Sequence, residues 1–392
     1  MERFFIFLTS PSAGSAILLA TTFIGIFLAN SPLAPQYFSL ISLHLGPLTA
    51  MEWVNDALMA IFFLFVGLEV KRELISGELN TKAKRIMPGI AALMGVMFPA
   101  VIYYLIAGSN AEFARGWAIP TATDIAFAIG IVTALGSRVP PAMKVFLTAL
   151  AVIDDLMAII IIAIFYATGL NFFYLFLSVV IVLLLITINK QGYVRPMPYA
   201  ILGAVLWLCI LKSGLHATMA GVILAMTIPS HGKFDNHVVR PMTDWEHVLS
   251  NWVSFLIVPV FAFFNAGVSF GDLSLQDLYH PVVLGVTAGL VLGKQLGIFG
   301  AVLVMVKTGL VPMPTSSNWK HVYGVSVVCG IGFTMSIFVS ILAFEPGMIQ
   351  ERAKAGVFLG SLITALLGYV ILRLVSKPEE PHRKVVCDKV DY

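Results

Sequence analysis

The chain has 392 residues, of which 59% are hydrophobic and 11% are charged, and its net charge is +3. Soluble globular proteins carry about 25% charged residues, so this composition excludes a soluble protein and indicates an integral membrane protein. The sequence contains no nucleic-acid-binding motif and no Gly-rich phosphate loop, and its three cysteines (Cys209, Cys329, Cys387) form no C-x-x-C pair.

Twelve apolar segments approach the roughly 20 residues that a membrane-spanning helix needs, although the seventh and eighth are short. They cover residues 12–30, 50–76, 86–107, 112–134, 141–166, 173–189, 196–211, 213–229, 241–268, 284–306, 321–344 and 352–375. The first run lacks a small-residue cleavage site and is predicted to be a retained helix. We therefore predict an all-α membrane protein with one transmembrane domain, residues 1–376, and a charged cytoplasmic tail, residues 377–392.

The distribution of lysine and arginine predicts the orientation of these spans. With the N-terminus inside, 19 of the 24 basic residues fall in inner segments, four fall in outer loops, and Lys294 lies within a span. Both termini are therefore predicted to be cytoplasmic. The outer loop 39–50 alternates polar and apolar residues and turns at Gly46-Pro47, which predicts a small β-hairpin; an irregular loop explains the same pattern equally well.

Four ionisable residues lie deep within predicted spans: Asp124, Asp154, Asp155 and Lys294. Such residues cost roughly 2.5–3.5 kcal/mol each in lipid and usually mark ion or substrate paths. Consecutive helix positions are about 100° apart, so Asp154 and Asp155 cannot both face one partner. We expect one aspartate to pair with Lys294, the only deep cation, while the other lines a cavity. A purely structural ion pair between two helices is the alternative.

Two spans, one in each half of the chain, contain residues that interrupt helices. Pro120 precedes Thr121, Thr123 and Asp124 in the first, and Gly330 and Gly332 interrupt the second. Paired interruptions are typical of transporter sites built from discontinuous helices, and the family named in the next paragraph is among the known examples. Glycine and proline are also common in ordinary membrane helices. If the broken helices cross, Asp124 suits their positive N-terminal ends and Lys294 their negative C-terminal ends.

At this point several segments resemble the NhaA-type sodium/proton antiporters. They are NDALMAIFFLFVGLEVKREL, TATDIAFAIG, ALAVIDDLMAIIII, LKSGLHATMAGVI, VPVFAFFNAGVS and CGIGFTMSIF. The resemblance covers about residues 12–375. It implies the NhaA fold, with twelve helices, inverted repeats and two crossing discontinuous helices, and exchange of Na⁺ or Li⁺ for H⁺ in a bacterial inner membrane. It also implies a homodimer formed through the outer hairpin 39–50, and it calls for no cofactor.

The resemblance places the ion and proton site at Asp154 and Asp155, with Asp124 at a helix end and Lys294 as the membrane lysine. Thr123 is expected to add an oxygen ligand. The sequence departs from many relatives at Gln295, where proline is expected after the lysine. That difference bears on the local helix shape and not on the charge.

A second group of charges is predicted near the cytoplasmic end of the second span. Glu69, Arg72 and Glu73 share one helix face, and Glu246 and His247 are expected to join them. The family resemblance suggests a pH sensor and cation funnel, whereas a solvated helix end explains the same pattern. His216 is a candidate for tuning the pH response or a structural histidine, and Asp56 is a candidate for the exit path or a helix-start carboxylate.

These residues predict an antiporter in which one cation and protons compete for the same carboxylates. Burial disfavours the charged carboxylate, while Na⁺ or the Lys294 ammonium favours it. With two titrating groups, more protons than Na⁺ ions can move, so exchange is expected to be electrogenic. Protonated carboxylates exclude Na⁺, so the exchange rate is expected to fall in acid. An intramembrane aspartyl protease needs facing aspartates from two helices, and a channel needs a continuous lined pore. A sodium-coupled solute symporter of related fold remains the alternative.

Overall fold

The computed structural model describes residues 11–77, 79–167, 169–234, 237–269, 271 and 274–375. The predicted cytoplasmic tail and Cys387 lie outside the described residues. Within them the chain is mostly helical. The helices are α1 Pro11–Ala29, α2 Ala34–Ile41, α3 Ala50–Ile75, α4 Lys82–Ala107, α5 Ala111–Ala114, α6 Ile125–Ala134, α7 Pro141–Phe165, α8 Phe172–Lys190, α9 Pro196–Ser213, α10 Met219–Thr227, α11 Pro241–Asn265, α12 Pro281–Lys307, α13 Trp319–Val328, α14 Phe333–Ala343 and α15 Met348–Val375.

Local sequence explains several of these helix ends. Proline occupies the first or second position of α2, α7, α9, α11 and α12, where its missing N–H costs no intrahelical bond. The side chains of Asn110, Asn171 and Asn318 accept hydrogen bonds from backbone amides in the first turns of α5, α8 and α13. Helix α9 ends at Ser213 and is followed by Gly214, whose φ of +86° favours glycine.

Nine helices in the described part of the chain are long and apolar enough to cross a membrane. The number rises to 11 if α1 with α2, bent by 115°, and α13 with α14, bent by 44°, each count as one span. The predicted eighth span, residues 213–229, instead contains α10, a helix of nine residues. The fold is therefore a multi-helix membrane architecture, and the number twelve stays a prediction.

Helix α10 is short and lies directly against α3. Gly67 of α3 approaches α10 so closely that a Cβ there would lie 2.7 Å from the Ala225 methyl, and a Cβ on Gly221 would collide with the α3 backbone. At the end of α10, the Lys71 ammonium donates hydrogen bonds to the carbonyls of Ala225 (3.2 Å), Met226 (2.7 Å) and Ile228 (2.5 Å). Glycine contacts and a lysine cap thus join the two helices.

Three helices of the described chain contain a π-helical segment. These segments cover Trp53–Leu58 in α3, Val253–Ile257 in α11 and Gly289–Gly293 in α12. Each leaves the regular hydrogen-bond ladder for about one turn, a feature that is frequent at functional sites. The last segment ends immediately before Lys294 and so sets the direction in which that side chain leaves the helix.

Two short antiparallel hairpins complete the described structure. Strand β1, His44–Leu45, pairs with β2, Leu48–Thr49, with Leu45 opposite Leu48. Strand β3, Gly232–Phe234, pairs with β4, His237–Val239. The hairpin formed by β1 and β2 covers residues 44–49. Residues 39–41, at the start of the predicted loop, instead form the end of α2. The ladder is therefore shorter than the loop 39–50 in which a hairpin was predicted.

The helices pack in two groups. In one, α12 packs against α4 and α15, α13 and α14 pack against α15, and α7 packs against α4 and α6. In the other, α11 packs against α1 and α3, and α10 packs against α3, α8 and α9. We call them the site group and the support group. The deep charged residues lie on the site group, and the support group closes one side of the space in front of them.

Candidate functional site

Two interrupted segments meet in the site group. Between the 3₁₀ turn Arg115–Thr121 and α6, the chain is extended. Between α13 and α14, residues 329–332 leave the helix. The Asp124 amide donates to the Ile331 carbonyl (2.7 Å), and the Thr123 hydroxyl donates to the Cys329 carbonyl (2.8 Å). Each interruption thus satisfies backbone groups that the other leaves free, as buried irregular backbone requires.

The Asp124 carboxylate caps two helices at once. It accepts hydrogen bonds from the Phe127 amide in the first turn of α6 (3.1 Å) and from the Thr334 amide in the first turn of α14 (3.0 Å). The Thr334 hydroxyl also donates to it. The positive ends of two helix dipoles therefore converge on one buried negative charge, which stabilises it. Sequence analysis predicted the helix-end position of Asp124 but did not select Thr334, although Thr334 stands in the quoted segment CGIGFTMSIF, two residues after Gly332.

Lys294 pairs with Asp154. Its Nζ lies 2.7 Å from Asp154 Oδ2, and neither side chain is more than 1% exposed. Asp154 Oδ1 is buried and has no hydrogen-bond partner in the described structure. The side chain and backbone of Thr123 lie close enough to act on this carboxyl. Which aspartate would pair with Lys294 was left open by the sequence, and the geometry selects Asp154. No described bond joins Lys294 to a helix C-terminus.

Asp155 instead faces open space. It lines a cavity of about 330 Å³ together with Asp124, Glu69 and Thr334. Asp154, Glu69 and Asp124 are the acidic groups close enough to act electrostatically on the Asp155 carboxyl. The two adjacent aspartates therefore have different surroundings: one carboxylate is neutralised within the protein, and the other is presented to a cavity that can hold water and an ion.

The predicted charged cluster lies toward one end of this cavity. Arg72 bonds Glu246 (Nε to Oε1, 2.8 Å) and Glu73 (Nη2 to Oε1, 2.9 Å), and Glu69 acts on the same charges. His247 is exposed and lines an adjoining depression with Arg72 and Glu246. Glu246 Oε2 is buried without a hydrogen-bond partner among the described residues. The structure thus brings all five predicted residues to the approach of the cavity.

His216 and Asp56 lie apart from this cluster. His216 lies in the turn before α10, at the end opposite the one capped by Lys71. Asp56 lies in the π-helical segment of α3, where its carbonyl accepts a bond from the Trp207 indole (3.0 Å). Neighbouring Asn55 accepts from Asn265 Nδ2 (2.8 Å). Asn265 is 1% exposed and was missed at the sequence level, although it stands in the quoted segment VPVFAFFNAGVS.

Gln295, the departure noted in the sequence, bridges two helices. The Tyr323 hydroxyl of α13 donates to Gln295 Oε1 (2.9 Å). The side chain therefore connects the helix that carries Lys294 to one of the interrupted helices. Sequence reasoning gave Gln295 an effect on helix shape alone and did not predict this bond.

The donor set fits a transported cation better than a resident metal. Across the described ranges, no three His, Cys, Asp or Glu side chains converge on a common point that would hold a metal ion. Oxygen ligands are available from Asp155 and Asp154 Oδ1, with the hydroxyl of Thr123 nearby. Carboxylate and hydroxyl oxygens are the ligands that hard cations accept.

Comparisons with known proteins identify the family that the chain resembles. The family model described as Na⁺/H⁺ antiporter 1 matches residues 6–372. The Na⁺/H⁺ antiporter NhaA of Mesorhizobium japonicum is 49% identical over 370 residues, covering 93% of each chain, and that of Caulobacter vibrioides is 47% identical over 372 residues, covering 94% of this chain and 90% of the relative. The structure of the sodium proton antiporter MjNhaP1 from Methanocaldococcus jannaschii matches with a TM-score of 0.54 at 15% identity, covering 92% of each chain, which shows a shared fold.

Proposed function

Because the chain belongs to the Na⁺/H⁺ antiporter 1 family, we propose that it exchanges Na⁺ or Li⁺ for H⁺ by competition at Asp154 and Asp155. Its relatives are transporters and not enzymes, as the sequence predicted, and its spans and bacterial relatives indicate a multi-pass bacterial membrane protein. One observation carries the proposal: Asp154 is paired with Lys294, while Asp155 faces the cavity.

The chemistry follows from this division of roles. A cation entering the cavity meets the Asp155 carboxylate first, and Asp154 Oδ1 and the Thr123 hydroxyl complete its oxygen shell. A proton on either carboxylate removes the charge that attracts the cation, so the two cargoes exclude each other. When the cation leaves, protons neutralise the carboxylates again. Competition for the same oxygens couples the two fluxes without a separate proton relay.

Charge movement is a second part of the proposal. Lys294 binds Asp154 when that carboxylate is charged. A cation that takes Asp154 as a ligand weakens this pair, so the ammonium can release its proton and regains it when the cation leaves. Asp155 provides a further proton position. More than one proton can therefore move for each Na⁺, which makes exchange electrogenic and driven by membrane potential. Exchange falls in acid because protonated carboxylates do not hold Na⁺.

We assign the architecture to the NhaA type, with twelve spans, inverted repeats and two crossing discontinuous helices. The bonds between residues 123–124 and residues 329–334 support a crossing of the interrupted segments. Alternating access then moves the site group against the support group. The distribution of basic residues supports an inner-membrane orientation with both termini cytoplasmic, so that the cavity opens inward past Glu69 and Arg72.

The remaining assignments concern regulation, exit and assembly. Glu69, Arg72, Glu73, Glu246 and His247 form the pH-sensing funnel, His216 tunes the response from the outer side, and Asp56 lines the exit. The pair β1 and β2 supports an outer hairpin, through which we propose that two copies of the chain form a homodimer.

The test is lumenal pH in proteoliposomes of purified protein under clamped potential, after Na⁺ is added outside. We expect alkalinisation with the parent and no response with Asp155→Asn. Asp244→Asn makes the same chemical change at an exposed aspartate and should behave as the parent. Na⁺ entry without a pH change would refute antiport and favour the symporter. Exchange by Asp155→Asn at the parental rate would remove this residue from the site.

Voltage provides a separate test of electrogenic exchange. The same liposomes are set to an inside-negative and then to a zero potential with a potassium gradient and an ionophore. We expect the rate of pH change to depend on the potential set. Equal rates at both potentials would refute the movement of net charge while leaving the exchange itself intact.

A further inference from the structure

A hydrogen bond between the two helix groups lies at the wall of the cavity. Ser15 of α1 donates from Oγ to the carbonyl of Ala126 in the first turn of α6, at 2.8 Å. Both residues line the cavity that contains Asp124 and Asp155. Helix α1 belongs to the support group, because Gly14 packs directly on Ser254 of α11. The bond therefore crosses the boundary between the groups.

The carbonyl of Ala126 belongs to the same peptide group as the Phe127 amide. That amide donates to Asp124 Oδ1 at 3.1 Å. Ser15 O–H, the 126–127 peptide and the Asp124 carboxylate thus form a continuous chain of two hydrogen bonds. Bonds in such a chain polarise one another and become stronger together. The hydroxyl on α1 consequently strengthens the amide bond that holds Asp124 at the helix end.

The sequence of α6 permits this close approach. Gly130 lies one helical turn after Ala126, on the same face. A Cβ built on Gly130 would lie 2.5 Å from Ser15 Oγ, so any larger residue would displace the hydroxyl. Glycine at this position and a hydroxyl at position 15 together bring the two groups into hydrogen-bonding contact beside the site.

We propose that Ser15 is a positioning residue for ion exchange, which clamps α6 in the arrangement where the cavity is open and holds Asp124 through the 126–127 peptide. The inference rests on the proposed antiport and on motion between the two groups. Loss of the hydroxyl removes one hydrogen bond from the cavity-open state alone. It therefore lowers the fraction of molecules in that state and weakens the apparent binding of Na⁺ from the cavity side.

The experiment measures KM and kcat for Na⁺ entering from the cavity face, in oriented vesicles and per folded molecule. A typical hydrogen bond corresponds to about a twofold to tenfold change in an equilibrium constant. We expect Ser15→Ala to raise KM by about that factor with little change in kcat, and Ser15→Thr, which keeps the hydroxyl, to restore the parental KM. Thr22→Ala is the matched control, because Thr22 lies on the same helix and bonds only its own helix, at Leu18 O (2.8 Å).

Gly130→Ala displaces the hydroxyl from the opposite side. It should raise KM in the parent and add less in the Ser15→Ala background, because the shared hydrogen bond is already lost there and only the Cβ of residue 15, 2.9 Å from the added methyl, must still move. An unchanged KM in Ser15→Ala, or an equal increase in Thr22→Ala, would overturn the inference. A parent that shows no Na⁺-dependent proton movement would refute the proposed function instead, so the two failures are distinguishable.

Discussion

Replacing Lys294 with methionine tests the buried ion pair most directly. The change keeps an unbranched side chain only one atom shorter, but it leaves the Asp154 carboxylate without its partner, at a position where neither side chain is more than 1% exposed. Two unit charges 2.7 Å apart attract by about 6 kcal/mol at an effective dielectric constant of about 20. Removing one partner of a buried pair typically costs about 3–5 kcal/mol.

Proton uptake limits this loss. At pH 7 a carboxyl group of ordinary acidity becomes neutral at a cost of about 4 kcal/mol, which is close to the cost of leaving the charge unpaired. We therefore expect Lys294→Met to lose about 4 kcal/mol at pH 7. The deficit should shrink by up to about 1.4 kcal/mol for each pH unit below 7, because the folded variant then binds a proton that the unfolded chain does not.

The measurement is the thermal unfolding midpoint of purified protein in detergent, at pH 7 and pH 5. We expect the midpoint to fall by several degrees in Lys294→Met and to recover at least half of that loss in Lys294→Met with Asp154→Asn, where no charge is left unpaired. A single variant as stable as the parent at pH 7 would refute the reasoning. A double variant less stable than the single one would show that packing, not charge, dominates.

Three further changes probe packing, surface charge and helix connection. Gly221→Ala places a methyl group against the α3 backbone and should destabilise the protein by at least about 2 kcal/mol. In the same thermal assay, the control Gly89→Ala, which has open space around it inside α4, should keep or slightly raise the unfolding midpoint, because alanine favours a helix over glycine. Hydrogen bonds from the Ser274 side chain and backbone, together with the nearby arginine of α15, lower the pKa of Asp277 to about 2. Its stabilising contribution is thus complete above about pH 4 and lost as pH falls through 2, so Asp277→Asn should lower the unfolding midpoint at pH 7 and leave it unchanged below pH 2. Gln295→Leu should lower the free energy of unfolding by about 1 kcal/mol, because it removes the hydrogen bond from Tyr323. Tyr323→Phe and the combined variant should lower it by the same amount, which would confirm one shared bond. Additive losses in the combined variant would contradict that bond.

The deep charges were predictable from the sequence because charged residues are rare in apolar segments, whereas the family followed from the resemblance of whole segments to known antiporters. The pairing of Asp154 rather than Asp155 was not, since adjacent positions on one helix differ by a rotation that only the neighbouring helices fix. In the structure that rotation points Asp154 at Lys294 and Asp155 into the cavity.

Short and irregular elements were the least predictable part of the fold. The segment 213–229 is mostly apolar, and hydropathy alone cannot show that its own helix covers only Met219–Thr227. The π-helical turns leave no periodic signal, and neither does a contact such as Ser15 with Ala126, which joins residues 111 positions apart. Such contacts depend on where whole helices lie, so no local pattern encodes them.

The lysine cap on α10 has a consequence for how the protein is made. Nine helical residues span about 14 Å, which is less than half of the roughly 30 Å hydrocarbon layer. Helix α10 is therefore too short to cross this layer, and its last carbonyls need hydrogen-bond donors from the protein. Lys71 supplies them from a helix synthesised about 150 residues earlier. This cap therefore cannot form until α10 has been synthesised, about 150 residues after Lys71. A mutation at Lys71 would then reduce the yield of inserted protein more than the activity of molecules that complete folding.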